Sequence, residues 1–218
     1  MARIVTITKV LAAASVNDIC LSQTPVGAGN LTINGADAAG GVATQDTQRR
    51  VLFTFAADES ARTFGVYGTL QTGTAFAENV TGTAGTAVTL VDYLTITRIS
   101  IDAASAGAIQ VGTNGVGSSP WYTPNRHIAP VAISLELDFD GTANADVEHA
   151  FARVPLERLI NPLATAIPVV YNHATLAAIT ADTEGTYTAP PAGIRLTINS
   201  GTAAVRLSII QAGISGGT

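Results

Sequence analysis

Five oxygen-bearing side chains crowd residues 138–148 and are the strongest candidates in the sequence for binding a metal ion. They are Asp138, Asp140, Asn144, Asp146 and Glu148. Carboxylate and amide oxygens are the ligands that Ca²⁺ prefers. The spacing of these residues is not that of a calcium-binding loop, because the third acidic residue of such a loop is missing around Asp140-Gly141. Carboxylates that point outward from a hairpin also prevent stray strand pairing. We therefore predict a solvated sheet edge with no metal ligands, and calcium binding is the alternative.

The three histidines, His127, His149 and His173, are too far apart in sequence to form a His-Glu-x-x-His zinc motif, and no cysteine accompanies them. His149 falls on the apolar face of an alternating segment, which predicts a hydrogen-bonded core histidine. His127 and His173 fall in predicted loops, where we expect them to be solvated. A Ser-His-Asp catalytic triad is a further alternative, because the fold can assemble one from distant residues and sequence spacing does not test this.

Two glycine-rich segments are partly similar in sequence to catalytic or nucleotide-binding motifs but lack the context that those motifs require. Residues 112–117 (GTNGVG) lack the glycine spacing of a dinucleotide-binding turn. Residues 213–217 (GISGG) match Gly-x-Ser-x-Gly, but a nucleophile elbow leads into a helix and is followed by acidic and histidine partners. We interpret these segments as a turn and a tail. No catalytic, cofactor-binding or metal-binding residue is predicted, and we expect the protein not to be an enzyme.

The charge balance argues against nucleic acid as a partner. The 218 residues include 11 basic and 16 acidic side chains, for a net charge of −5, and Lys9 is the only lysine. Displacing counterions from phosphate requires a basic face, yet Arg49-Arg50 is the only adjacent basic pair. We interpret these two arginines, with Arg153 and Arg158, as solvated surface charges or as salt-bridge partners between subunits.

The composition also bears on the surface and the environment of the protein. Only 12% of residues are charged while 47% are hydrophobic, which favours a surface largely covered by partners. No segment approaches the roughly 18 apolar residues that a membrane helix needs, so no membrane partner is predicted. Cys20 has no second cysteine to pair with, and we expect a small buried hydrophobe in a strand. Thr6, Thr8 and Lys9 interrupt the N-terminal apolar run, which argues against a secretory signal.

Short strand patterns separated by Gly, Asn, Asp and Pro predict an all-β fold. Residues 131–139 alternate between apolar and polar side chains and 147–151 resume the pattern after a turn, which predicts a hairpin with one core face and one wet face. Residues 194–209 show the same pattern of two alternating segments around a turn, which predicts a second hairpin. Helical patterns are scarce: Leu156 to Ala164 fits about two turns, and Tyr171 to Thr180 is a further candidate.

A change in composition between Gly112 and Pro130 predicts a domain boundary. We expect two β-sandwich or jelly-roll domains with at most one or two short helices, an N-terminal domain over 1–118 and a smaller C-terminal domain over 119–218. A single continuous sandwich with a long crossing loop is the alternative.

Three stretches together resemble small Ala/Gly/Thr-rich structural proteins of tailed-bacteriophage particles. They are residues 19–24 (ICLSQT) leading to 29–35 (GNLTING), residues 111–121 (VGTNGVGSSPW), and residues 194–201 (IRLTINSG) running on to 209–212 (IIQA). The resemblance implies β-sandwich or jelly-roll modules that assemble as trimers or larger rings at the capsid surface or the head–tail junction. It transfers no active-site residue to this chain.

The resemblance and the composition together predict a structural virion component made in the host cytoplasm. The expected role is a capsid decoration or cement protein that binds and stabilises the major capsid protein lattice. Its expected partners are itself, with a homotrimer favoured, and other virion proteins, with no nucleic acid and no membrane. A collar, head–tail connector or tail protein is the first alternative. A carbohydrate- or receptor-binding β-module is the second, and Trp121-Tyr122 is the only adjacent aromatic pair that could serve it.

Overall fold

The computed structural model describes residues 3–71, 73–126, 131–151 and 169–212. Within them the chain is all-β, as predicted, and contains no helix. Fifteen strands are described. They are β1 (Arg3–Lys9), β2 (Ser15–Gln23), β3 (Gly29–Asn30), β4 (Ala38–Ala39), β5 (Val42–Phe55), β6 (Thr63–Thr69), β7 (Ala75–Thr81), β8 (Thr86–Ile101), β9 (Ile109–Ser118), β10 (Ala132–Asp140), β11 (Ala143–Ala150), β12 (Tyr171–Asn172), β13 (Thr183–Tyr187), β14 (Gly193–Gly201) and β15 (Ala204–Ala212).

The described residues divide into two compact units. The N-terminal unit comprises residues 13–71 and 73–117, and the C-terminal unit comprises 3–12, 118–126, 131–151 and 169–212. This division differs from the predicted domains, 1–118 and 119–218, at the start of the chain. Residues 3–12 group with the C-terminal unit because β1 pairs along its whole length with β15, antiparallel, from Arg3 opposite Gln211 to Lys9 opposite Val205.

The N-terminal unit is built on the long strands β5 and β8. Strand β8 pairs with β5 and β6, β6 pairs with β7, and β9 lies along the other side of β5. The alternation in β5 places Val51, Phe53 and Phe55 on one buried face. Phe53 and Phe55 pack against Phe64 of β6 with ring centroids 5.1 and 5.2 Å apart. These rings, with the edge-to-face pair Phe76 and Tyr93, anchor a core whose other members are mainly aliphatic.

The C-terminal unit is a β-sandwich. One sheet has the strand order β1-β15-β10-β13, and β11 pairs with β12 and β14 in the facing sheet. The core contains the inward-facing side chains of the central strands. They are Ile133, Leu135 and Leu137 of β10, Ala143, Ala145 and Val147 of β11, Ile194, Leu196 and Ile198 of β14, and Val205, Leu207 and Ile209 of β15.

The two predicted hairpins are wrong, although the alternation behind them identified core positions correctly. Strand β10 pairs with β13 and β15, whereas β11 pairs with β12 and β14, so the turn between them joins one layer to the other. The turn from β14 to β15 does the same. Gly141 and Gly201 lie in these turns at φ of 127° and 94°, where a side chain would be strained.

The helix predictions have separate outcomes. Tyr171 to Thr180 is not helical: Tyr171–Asn172 forms β12, and the remaining residues form turns and an isolated bridge. Leu156 to Ala164 lies outside the described residues. Nowhere in the described part of the chain is there a helix of the length and apolar character that crossing a membrane requires.

Candidate functional site

A cleft of about 610 Å³ opens in the C-terminal unit where the end of β11 meets β13 and the turn after β12. His149, Phe151, His173 and Tyr187 supply its aromatic wall. Thr175 of the turn after β12 and Thr188, which follows β13, also line it. We call this feature the aromatic cleft. Its size is in the range of small-molecule sites in proteins.

The rings of the aromatic cleft form a connected cluster. His149 lies 5.1 Å from Phe151 and 5.3 Å from Tyr187, both edge to face, and 5.9 Å from Tyr171 in a stacked pair. Tyr187 meets His173 edge to face at 4.7 Å. Edge-to-face contacts of this kind fix ring orientation. Phe151 and Tyr171 are nevertheless 62% and 51% exposed, so the outer part of the cluster presents aromatic surface to solvent.

The prediction that His173 is solvated is wrong: the residue is 6% exposed, and both ring nitrogens form hydrogen bonds with backbone groups. The Thr175 backbone N–H donates to Nδ1 at 3.2 Å, so Nδ1 is an acceptor. The proton of the neutral ring then lies on Nε2, which donates to the Thr186 carbonyl oxygen at 3.1 Å. His173 therefore ties the turn after β12 to β13 and shapes the floor of the cleft.

His149 differs from the predicted hydrogen-bonded core histidine. It is half-buried, and its Nδ1 is shielded from solvent without a hydrogen-bond partner in the described chain. Burial, and secondly the neighbouring His173, lower the pKa of His149 below its ordinary value of 6.5. Burial raises the pKa of Tyr187, whose hydroxyl likewise has no hydrogen-bond partner among the described residues, so this phenol stays protonated.

Acidification is expected to destabilise the C-terminal unit through His149. Since the pKa of His149 is lowered in the folded state, the unfolded chain binds its proton more readily. The stabilisation is complete above about pH 6.5 and is lost as the pH falls through the lower folded pKa. We expect the melting temperature to fall less between about pH 7.5 and 5.5 in His149→Gln than in the wild type. Equal pH slopes would contradict this assignment.

The five oxygen-bearing residues of 138–148 do not converge. Asp138 pairs with Arg206 on the outside of one sheet, and Asn144 accepts from the Asn199 side chain at 2.9 Å. Asp146 is 7% exposed and accepts the backbone N–H of Ala178, which lies in the left-handed region at φ 54°. The prediction that Asp146 and Glu148 face water is therefore wrong. Among the described residues no group of three or more His, Cys, Asp or Glu is arranged to hold a metal ion.

Glu148 is the centre of a buried polar network. Its carboxylate accepts from Arg195 Nε at 2.6 Å and from the Thr197 hydroxyl at 2.8 Å. Arg195 also donates to the Ser118 hydroxyl at 3.2 Å and lies 4.8 Å from the centroid of the Trp121 ring. These contacts supply hydrogen bonds to a buried charge pair. They also show that the Trp121 ring packs against Arg195 and is not an exposed ring for stacking on a sugar, and both residues of the pair Trp121-Tyr122 are half-buried.

In the arginine pair of the N-terminal unit Arg49 is buried and Arg50 is half-buried. Arg49 is 2% exposed and donates from one guanidinium nitrogen to the Asn114 carbonyl oxygen at 2.9 Å. Its other terminal nitrogen lies 3.6 Å from a carboxylate oxygen of Asp46. Arg50 pairs at 3.4 Å with Asp92, which is 3% exposed. Both arginines therefore serve the fold of their own unit.

The remaining predicted candidates are less informative. Cys20 is fully buried in β2, as predicted, and burial raises its pKa to about 12, so the thiol stays protonated. His127, Arg153, Arg158 and residues 213–217 lie outside the described residues. The sequence does not predict the aromatic cleft, because Phe151, Tyr171 and Tyr187 are widely separated along the chain. The available signal was the alternation of residues 147–151, which places His149 and Phe151 on the same face at the end of the segment.

A second feature is the outer face of the sheet β1-β15-β10-β13, which we call the outer sheet face. Ile4 of β1 stands opposite Ile210 of β15, and these side chains are 65% and 38% exposed. Ser134 of β10 continues this row. The next row contains Thr6, Ser208, Glu136 and Glu184. The face thus combines exposed aliphatic and small hydroxyl side chains with charged ones.

Comparison with known proteins finds no match for this chain among protein-family models, curated proteins or solved structures. The resemblance to phage structural proteins consequently stays a prediction.

Proposed function

We propose that the protein is a structural component of a tailed-phage virion, a capsid decoration protein that binds and stabilises the lattice of the major capsid protein. The observation that carries the proposal is the outer sheet face. Ile4 and Ile210 expose neighbouring aliphatic surface on a regular sheet whose surrounding positions are mainly Ser and Thr. Apolar surface surrounded by polar groups is typical of protein interaction sites.

Charge supports a protein partner with basic side chains. Glu136 and Glu184 stand directly opposite each other on β10 and β13, and both are exposed. Like charges at opposed positions destabilise a sheet. A partner that places Lys or Arg against this pair would relieve the repulsion and fix the register of docking. The overall charge of −5 favours the same complementarity.

Strand β1 supports self-association through a cyclic arrangement. It ends the order of its sheet among the described strands, and residues 4–8 of the strand carry no charge. Two copies of β1 pairing antiparallel about Thr6 would set Arg3 of each opposite Lys9 of the other, a repulsive contact. A heterologous interface avoids this contact, and heterologous interfaces that close form rings such as trimers. A trimer also matches the threefold positions of a protein shell.

The oligomeric state tests this proposal in solution. We expect light scattering to give a homo-oligomer, a trimer foremost, for the wild-type chain. Ile4→Lys adds a charge to strand β1, the proposed site of self-association, and should weaken association about tenfold or more, since tenfold corresponds to about 1.4 kcal/mol. Leu90→Lys is the matched control, because Leu90 is 68% exposed on the N-terminal unit. A wild-type monomer, or equal effects of the two substitutions, would argue against it.

A collar, head–tail connector or tail protein is the alternative within the same class of virion proteins. The outer sheet face could bind any of these protein assemblies, and binding to isolated tails rather than to shells would favour this alternative.

A further inference from the structure

We propose that the aromatic cleft is a binding site for a neutral oligosaccharide. This inference is independent of assembly, because it rests on side chains at the end of β11, in the turn after β12 and at Tyr187, the last residue of β13.

The first support is exposed aromatic surface in a chain that has little of it. Aromatic residues make up 6% of the sequence, yet Phe151 and Tyr171 lie with ring centroids 6.2 Å apart and are each more than half exposed. Exposing large rings to water is unfavourable compared with burying them. The apolar C–H face of a pyranose ring packs against such a surface, and the polar edge of the sugar remains free to form hydrogen bonds.

The second support is the kind of polar group beside these rings. Thr175 and Thr188 line the cleft and carry hydroxyl groups that both donate and accept, and the Tyr187 hydroxyl has no hydrogen-bond partner among the described residues. This mixture suits sugar hydroxyls, each of which also donates and accepts. Neither Lys nor Arg lines the cleft in the described chain, so an anionic ligand would find no opposite charge there.

The third support is that the cleft is held open and oriented by backbone contacts. His173 bonds both Thr175 and Thr186, and Gly185 leaves space that a side chain would fill. A Cβ at Gly185 would lie 2.9 Å from the His173 ring and 2.7 Å from Leu176. The floor is thus preorganised, which lowers the ordering cost of binding. A volume of about 610 Å³ accommodates more than a single sugar ring.

The test is titration of the full chain with maltotriose, cellotriose and chitotriose, followed by saturation-transfer NMR and calorimetry. We expect one of these sugars to bind at millimolar or lower concentration. Phe151→Ala should weaken that binding about tenfold or more, and Phe151→Tyr should retain it because the ring face is kept.

Controls separate this result from general surface effects. Leu90→Ala, at an exposed aliphatic position on the N-terminal unit, should leave sugar binding unchanged, and melting temperatures should verify that Phe151→Ala folds. Choline is included because a cluster of aromatic rings also suits an organic cation. Binding of choline without binding of any sugar would overturn the proposal. So would the absence of sugar binding at millimolar concentration, or a sugar affinity that Phe151→Ala leaves intact.

Discussion

Replacing Arg49 with methionine is expected to destabilise the N-terminal unit by about 3–5 kcal/mol, the usual cost of removing one partner of a buried ionic group. Arg49 is 2% exposed, and its charge acts on three carboxylates. Asp46 is its direct partner at 3.6 Å, and the arginine also lowers the pKa of Asp18 and Asp37 against the larger effect of their burial. Methionine fills similar space but leaves these carboxylates and the Asn114 carbonyl without the cation.

Urea unfolding of Arg49→Met measures this loss, and Arg98→Met is the matched control. Arg98 is exposed and lies 3.5 Å from the centroid of the Tyr67 ring, so its replacement should cost about 1 kcal/mol or less. The loss in Arg49→Met should shrink as the pH falls. Carboxyls with raised folded pKa values contribute stability at low pH and lose it as the pH rises. A loss below about 1 kcal/mol for Arg49→Met would contradict the role assigned to this arginine.

Replacing Glu148 with alanine is expected to destabilise the C-terminal unit by about 3–5 kcal/mol. The substitution leaves the Arg195 guanidinium, whose side chain is 14% exposed, without its carboxylate and removes the acceptor of the Thr197 hydroxyl. Charge-assisted hydrogen bonds of this length are among the strongest in proteins. The expected loss therefore exceeds that for any exposed ion pair of the same unit.

Asp138→Ala is the internal control for Glu148→Ala. Asp138 also pairs with an arginine, but its side chain is 31% exposed and that of Arg206 is 52% exposed. Exposed pairs of this kind contribute about 0–1 kcal/mol. Thermal or urea unfolding should rank the two variants clearly. Equal losses would mean that burial of the Glu148–Arg195 pair does not set its contribution.

The sequence predicted which side chains are buried better than it predicted which strands pair. Alternation in β10 and β15 correctly placed Leu135 and Leu207 in the core, because a period of two determines the face of a strand. The same alternation fits a hairpin and a connection between two layers equally well. Only long-range packing of the apolar faces distinguishes them, and here it separates β10 from β11.

The polar residues show a similar limit. Asp146 and Glu148 follow the polar phase of β11, yet both are buried because the Ala178 N–H, Arg195 and Thr197 meet them from other segments. No local pattern specifies such partners. The aromatic cleft was missed for the same reason, since its rings come from separate strands and turns. Cys20, whose environment is simply apolar, was predicted correctly.

Co-sedimentation with undecorated shells, assembled from the major capsid protein of the same genome, tests the proposed virion role most directly. The wild-type chain is expected to sediment with the shells at saturable occupancy in multiples of three and to raise their melting temperature. Ile4→Lys should bind at least about tenfold more weakly, while Leu90→Lys binds as the wild type does. A folded chain that does not sediment with the shells and leaves their stability unchanged would contradict the decoration role.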